Sequence, residues 1–266
     1  MDWIHHHLDE VTSTNDWTLA WLKSHALDVP WVVTADCQTH GRGQRSKRWE
    51  APAKSGVAMS VAVPRSRWPE AAFGPVTFNM EVALAVLRAL RAASPQMRLE
   101  AAPDAHPPGE LLLKWPNDVL AKVDGRWAKL AGILIENQWR GNTWVSSVVG
   151  VGVNVRAHPH LAEGHATSLH DVWGEAPSPA ELAQSIAHEL LRMTPGPGTS
   201  AAYHENLAGL GVRRAYVVNG RTVWGVLEGI DANGQAHFAW EPPGTPDGMA
   251  MPRRHMDVGD VGWVWA

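Results

Sequence analysis

The chain has 266 residues, 45% of them hydrophobic, which supports a large buried core in one substantial domain with a small appendage and excludes a disordered chain. With 23 Lys and Arg against 27 Asp and Glu the formal net charge is −4, so no overall basic field gathers nucleic acid. One cysteine, Cys37, excludes intramolecular disulfides; no stretch is long and apolar enough to cross a bilayer, and the start Met1-Asp-Trp-Ile-His-His-His lacks the basic and apolar regions of a signal peptide, so a cytoplasmic protein away from membranes is expected.

Residues 3 to 8 alternate and predict a first strand. Adjacent histidines in a strand face opposite sides, so His5, His6 and His7 cannot all converge on one ion and read as ordinary strand positions. Ser13 and Thr14 offer N-caps for a helix carrying Trp17, Leu19, Ala20, Trp21 and Leu22. The apolar run Trp31 to Ala35 reads as a buried strand leading into Gly41-Arg42-Gly43-Gln44-Arg45-Ser46-Lys47-Arg48-Trp49, which packs four basic side chains into nine positions. Guanidinium forks and backbone N–H groups leaving a sheet edge can converge on an anion. On these residues alone, a solvated basic turn or a nucleic-acid arm is an equal reading.

Gly56 to Val63 supplies the next strand, Pro64 and Pro69 break the chain, and a helix from about Phe73 to Ala93 follows. Its apolar residues Val76, Met80, Ala83, Leu84, Leu87 and Leu90 recur as one buried stripe. Residues 100 to 110 look like a surface insertion, followed by a short strand Leu111 to Lys114 and a three-stranded meander over Val119 to Val155, with turns at Asp124-Gly125 and Arg140-Gly141-Asn142. Ser178 caps a helix to about Met193, which Pro195-Gly-Pro-Gly198 stops. From 213 the texture changes: the Asn219-Gly220 hairpin, the Asn233-Gly234 turn and the terminal Val-Gly-Trp-Val-Trp265 predict four or five short antiparallel strands. No internal repeat is found, and most of the fifteen tryptophans, Trp139, Trp144 and Trp240 included, are assigned to core and strand packing.

Three further motifs carry chemistry. In Lys114-Trp-Pro-Asn-Asp118, Pro116 removes a ladder donor and forces a turn that aims Asn117 and Asp118 off the sheet. In Lys129-Leu-Ala-Gly-Ile-Leu-Ile-Glu136, Lys129 sits on a rigid strand, adding little stability as an exposed side chain, and Gly132 leaves room for a ligand or another backbone. In Gly150-Val-Gly-Val-Asn154 the backbone opens again, and an amide is placed to read a flat ring edge.

Together with Ser13-Thr14-Asn15, and in this order, these motifs resemble the signatures of the biotin protein ligases (biotin–acetyl-CoA-carboxylase ligases): S-T-N, G-R-G-R-x-G-R-x-W, K-W-P-N-D, K-L-A-G-I-L-x-E and G-x-G-x-N. The resemblance implies an α+β catalytic domain over 1–212, with the mixed sheet and flanking helices of the class II aminoacyl-tRNA synthetase-like fold, and a small C-terminal SH3-like β-barrel over 213–266. It implies an enzyme that joins biotin to a lysine of the biotin carboxyl carrier protein of acetyl-CoA carboxylase, or of a similar biotin-dependent carboxylase, through biotinyl-5′-AMP, with ATP and Mg2+. Bringing a carboxylate onto an α-phosphate opposes two anions, so fixed positive charge is the main requirement. By the same resemblance Lys129, Arg42 and Arg45 are the catalytic cations. Biotin falls to Ser13, Thr14, Asn15, Gln38, Arg42, Gly43, Gln44, Lys129 and Gly132, and ATP to Gly41, Arg42, Lys47, Trp49, Asn117, Asp118 and Asn154, with no protein ligands assigned to a metal. Asp118 is left open between orienting the incoming lysine, holding magnesium through water and capping its turn. Two positions depart from the signature: Gln44 and Ser46 stand where Arg and Gly are usual, which bears on loop closure more than on the reaction. The signatures start within fifteen residues of Met1, so the DNA-binding domain of some family members is not expected, nor a nucleic-acid partner. The rivals are a lipoate or octanoyl ligase of the same fold and a non-catalytic nucleic-acid binder.

Overall fold

A parallel strand pair needs a crossover, and the chain begins with one. Strand β1 (Ile4–Val11) pairs in parallel with β2 (Trp31–Gln38), and helix α1 (Thr14–Leu22) forms the connection. Ser13 is its N-cap, extended at φ −155° and accepting the Asp16 N–H. The structure is a computed structural model, described over residues 3–68, 73–94, 110–159, 165–241 and 253–265. The expected insertion at 100–110 lies outside the described residues except for Glu110.

The remaining strands of the first sheet are antiparallel: β3 (Gly56–Pro64), β4 (Leu111–Lys114), β5 (Asp118–Val123), β6 (Arg126–Arg140) and β7 (Thr143–Asn154), in the order β1-β2-β3-β7-β6-β5-β4. The result is the mixed sheet with flanking helices that was expected. Period-two alternation sorts β3: Val57, Met59, Val61 and Val63 join the apolar core, while Ser60 meets α1.

Helix α2 (Pro75–Ala92) is buried more completely than a single stripe predicts, from Phe78 to Leu90 on nearly every side. The reason is that α4 (Pro179–Arg192) and α5 (Thr199–Glu205) pack over its outer surface, leaving only Asn79 and Arg88 exposed between Phe78 and Leu90. Its one buried acid, Glu81, accepts from Arg88 at 2.9 Å and Thr199 at 3.0 Å. Helix α4 starts with Ser178 and Glu181 in a capping box and Pro179 in its first turn. Neither α5 nor the short α3 (Leu169–Trp173) was expected from the sequence. Trp139 corrects another expectation. Trp144 and Trp240 are buried, but a register shift beside Trp139 near the end of the β6–β7 hairpin leaves it 53% exposed.

The second sheet is wholly antiparallel: β8 (Arg213–Val218), β9 (Arg221–Ile230), β10 (Ala236–Trp240), β11 (Arg253–Met256) and β12 (Val261–Trp263), in the order β11-β10-β9-β8-β12. Asn219 and Gly220, at φ 50° and 73°, make the two-residue turn joining β8 to β9. Among the described residues β11 and β12 are the two edges, so the sheet is barrel-like in content without a closing pair. Tyr216, Phe238 and Trp240 stack at its centre, Tyr216 edge-on to Phe238 at 4.9 Å. No helix of the described residues is long and apolar enough to cross a membrane.

Candidate active site

A cleft of about 620 Å³ lies between the first sheet, the loop Gly41–Trp49 and the second sheet. On its wall Gly132 of β6 pairs with Gly152 of β7, and the Trp49 ring lies on this glycine pair. A Cβ on Gly152 would sit 2.3 Å from Trp49 Cε2, and one on Gly132 would sit 3.2 Å from Cζ3. The two glycines are therefore needed for close approach of an indole.

Lys129 reaches this wall because of a bulge. Val119 pairs with Ala131 but Leu120 pairs with Lys129, so β6 carries one extra residue at Leu130. In a regular strand Lys129 and Gly132 would face opposite sides; here the Lys129 ammonium is 3.3 Å from the place of a Gly132 Cβ. The Lys129 backbone is held on its other side as well, donating to His165 O at 2.7 Å and accepting from Thr167 N–H at 3.0 Å. Its Nζ lies 2.6 Å from Asp118 Oδ1, and Lys114 Nζ lies 3.1 Å from Asp118 Oδ2. Burial alone would push the Asp118 carboxyl up, but the Lys129 and Lys114 charges with their hydrogen bonds outweigh it and hold it below the ordinary carboxylate value. Asp118 is thus an anion locked between two ammonium groups, and Lys129 is not the loosely attached surface lysine expected. Tyr203, fully buried behind it, is pushed up by burial first and by the Asp118 charge second.

The basic loop is a small hairpin: Gly43 N–H donates to Lys47 O at 2.7 Å and Trp49 N–H to Gly41 O at 2.9 Å, with Arg42 bridged to Arg48. Arg45 adopts a left-handed conformation, φ 52°, at its tip. Its guanidinium lies against Gly259, in the turn between β11 and β12, where a Cβ would come within 2.1 Å of it. Arg42 pairs with Asp16 of α1, at 2.9 Å, and with Glu136 of β6. That leaves it tying the loop to two elements while Lys129 and Lys114 face the cleft.

At the start of α1, Thr14 donates through N–H and Oγ1 to Gln38 Oε1 at 2.8 and 3.1 Å, Ser60 donates to Asn15 Oδ1 at 2.6 Å, and Asn15 donates to Glu136 at 2.8 Å. Gly150 makes room for this, since a Cβ there would be 2.3 Å from Asn15 Oδ1. Ser13, Thr14, Asn15 and Gln38 all line the cleft, as do Arg42, Gly43, Gln44, Arg45, Lys47 and Trp49. Lys129, Gly132, Asn117 and Asp118 complete the wall opposite. Asn117 is a brace there, donating to Ile133 O at 2.7 Å and accepting from Ile133 N–H at 2.9 Å. Two expected residues stand off the cleft: Gly41 lies beneath it, packed on the Trp49 carbonyl, and Asn154 is 2% exposed and donates to Thr167 O at 3.0 Å. Sequence reasoning passed over Lys114 as a second ammonium, although it had singled out the motif, and over Asp16, Glu136 and Ser60. It also passed over Trp263 and Trp265, whose rings stand 5.7 and 5.5 Å from Lys114 Nζ. No local signal links that distant segment to the cleft.

Residues 8–154 match the model of the biotin/lipoate A/B protein ligase family. The chain is 35% identical over 210 residues to the biotin–[acetyl-CoA-carboxylase] ligase of Mycobacterium tuberculosis, covering 77% of this chain and 71% of that protein. It is 30% identical over 221 residues to the bifunctional ligase/repressor BirA of Bacillus subtilis, covering 76% of this chain and 59% of the relative. Among solved structures, the biotin protein ligase from Aquifex aeolicus in complex with biotin and ATP superposes with a TM-score of 0.64 at 21% identity, covering 97% of both chains.

Proposed function

The chain belongs to the biotin/lipoate A/B protein ligase family, and from that premise we propose how its cleft works. It is an ATP-dependent biotin ligase, joining biotin through biotinyl-5′-AMP to a lysine of a biotin carboxyl carrier protein. The carrier is that of acetyl-CoA carboxylase or of a similar carboxylase. The carrying observation is the pair of ammonium groups astride Asp118, set in a cleft whose other wall is the basic loop. Adenylation opposes a carboxylate and an α-phosphate, and cations already fixed by a buried anion need no rearrangement to stand between them. Lys129 takes that place, with Lys114 beside it. Asp118 holds both in position with one oxygen turned to each, and so is not read as a magnesium ligand; Mg2+ enters with ATP as part of the substrate. Arg42 acts as the clasp that holds the loop to Asp16 and Glu136, and Arg45 and Lys47 supply the remaining charge toward the phosphates.

The neutral ureido ring of biotin needs short polar groups at the closed end of the cleft, which Ser13, Thr14, Asn15 and Gln38 offer. Trp49, on its glycine pair, gives a flat apolar wall to the ligand. In the second step the target lysine amine attacks the mixed anhydride and AMP departs, with the same ammonium groups stabilising both oxyanions. Residues 1–212 form the catalytic domain, of class II aminoacyl-tRNA synthetase-like fold. Residues 213–266 form an SH3-like domain that covers the adenylate side.

Lipoate is the other acid in the family's description, and relatives bearing the name of biotin ligases favour biotin. The test supplies ATP with labelled biotin and a purified biotin carrier domain, and in parallel labelled lipoate with a lipoyl domain. Label on the biotin carrier alone is expected; label on the lipoyl domain alone overturns the reading.

A further inference from the structure

The edge of the second sheet holds a cluster that ligation does not use. At the β9–β10 turn, Asp231 Oδ1 accepts the Asn233 and Gln235 N–H groups at 2.8 and 2.9 Å, which fixes the carboxylate and leaves Oδ2 to other partners. Oδ2 lies 3.4 Å from Nε2 of His237 on β10 and 3.6 Å from Nδ1 of His255 on β11. The two histidines are directly opposed across the β10–β11 pair, their ring centroids 3.8 Å apart. One ligand atom from each of the three residues falls within 4.8 Å of the others.

Nε2 of His237 is buried and faces Asp231 Oδ2 without a hydrogen bond of ordinary geometry, an arrangement that requires an explanation. The two N···O separations are wide for hydrogen bonds, whose N–H···O distances run about 2.7–3.2 Å. They match the ~3.4 Å edge of a tetrahedron built with metal–ligand bonds of about 2.0–2.1 Å. We propose that Asp231, His237 and His255 form a binding site for a divalent transition-metal ion of the Zn2+ type, with water completing the tetrahedron. The two backbone N–H groups on Oδ1 are the outer contacts that such a carboxylate ligand needs.

The ion would be structural. It joins the 231–235 turn to β11, a four-residue edge strand paired only to β10 among the described residues. The same turn supports the catalytic cleft, because Gly234 O accepts from Trp115 Nε1 at 3.1 Å, inside the Lys114–Asp118 turn. Binding therefore stiffens the sheet edge and, through Trp115, the seat of Asp118.

The full chain, stripped with a chelator, is titrated with Zn2+ against a chromophoric zinc indicator and separately with Co2+, whose visible absorption reports tetrahedral ligation. One equivalent is expected, with a rise in Tm on Zn2+ addition. His255→Gln, at an exposed position, and Asp231→Asn, which keeps the turn acceptor, should each weaken Zn2+ at least tenfold and abolish the cobalt band and the Tm rise. The exposed His7, Asp9 and Asp36 group is the internal competitor, so His7→Ala should retain the tight ion. Loss of the ion in His7→Ala, or its unchanged binding in both His255→Gln and Asp231→Asn, or no stoichiometric binding at all, overturns the proposal.

Discussion

Asp118 and Lys129 cannot be separated energetically, because each is the other's closest charged partner at 2.6 Å. Lys129→Gln should lower pyrophosphate release from biotin and ATP more than tenfold, a loss of about 1.4 kcal/mol or more of transition-state stabilisation. Retention of over a tenth of the wild-type rate would remove Lys129 from its role. The same substitution should also lower stability, since Asp118 then keeps Lys114 alone; a surface lysine would show no such loss. The pH dependence follows from the direction of the Asp118 shift. Its folded value is depressed, so its contribution is present above the unfolded carboxylate value of about 3.9 and is lost as pH falls through the folded value below that. Asp118→Asn should therefore flatten the acid limb of the stability curve in this window, read from urea midpoints against pH. An acid limb unchanged by the substitution would mean the carboxyl is not held ionised by its lysines.

Strands and caps were the most legible elements, because their signals are local. The Ser13 cap, the two-residue turns at Asp124-Gly125 and Asn219-Gly220, and the buried run of β3 each follow from a few adjacent residues. Lys129 shows where such reading stops. Strict period-two alternation puts it on the side of Ala131 and Ile133, and only the extra residue at Leu130, set by pairing with β5, turns it toward Gly132. The roles of Gly150 and Gly152 were likewise hidden, since the atoms that need their space belong to Asn15 and Trp49, about a hundred residues or more away in the sequence. These glycines give a paired prediction. Gly150→Ala should displace Asn15 and weaken biotin binding, whereas Gly152→Ala should dislodge Trp49 and act on retention of the adenylate, each costing about 1–3 kcal/mol of stability as overpacking. Calorimetric biotin titration and a chase of preformed adenylate distinguish the two. Identical effects on both readouts would show that Asn15 and Trp49 do not serve separate ends of the cleft.

For the molecule as a whole, composition was a sound guide to a large buried core, but not to two sheets meeting over one site. The C-terminal segment reaches the cleft through Gly259 in the β11–β12 turn, Trp263 of β12 and Trp265 after it, and the left-handed Gly259, φ 89°, lets the Arg45 guanidinium rest on it. Gly259→Ala should drive Arg45 off this seat and shorten the life of the bound adenylate, measured by the same chase, while biotin affinity at the other end stays as it was; an unaltered adenylate lifetime would make the contact incidental. The acidic total of −4 likewise concealed a cleft lined by Arg42, Arg45, Lys47, Arg48, Lys114 and Lys129. Arg42, Lys114 and Lys129 have fixed carboxylate partners in Asp16, Glu136 and Asp118. Side chains neutralised from within hold few mobile counterions, so an incoming nucleotide has few to displace. The affinity for ATP should accordingly decline gently as potassium chloride is raised, with a slope of log affinity against log ionic strength set by Arg45, Lys47 and Arg48 and not by all the cations of the cleft.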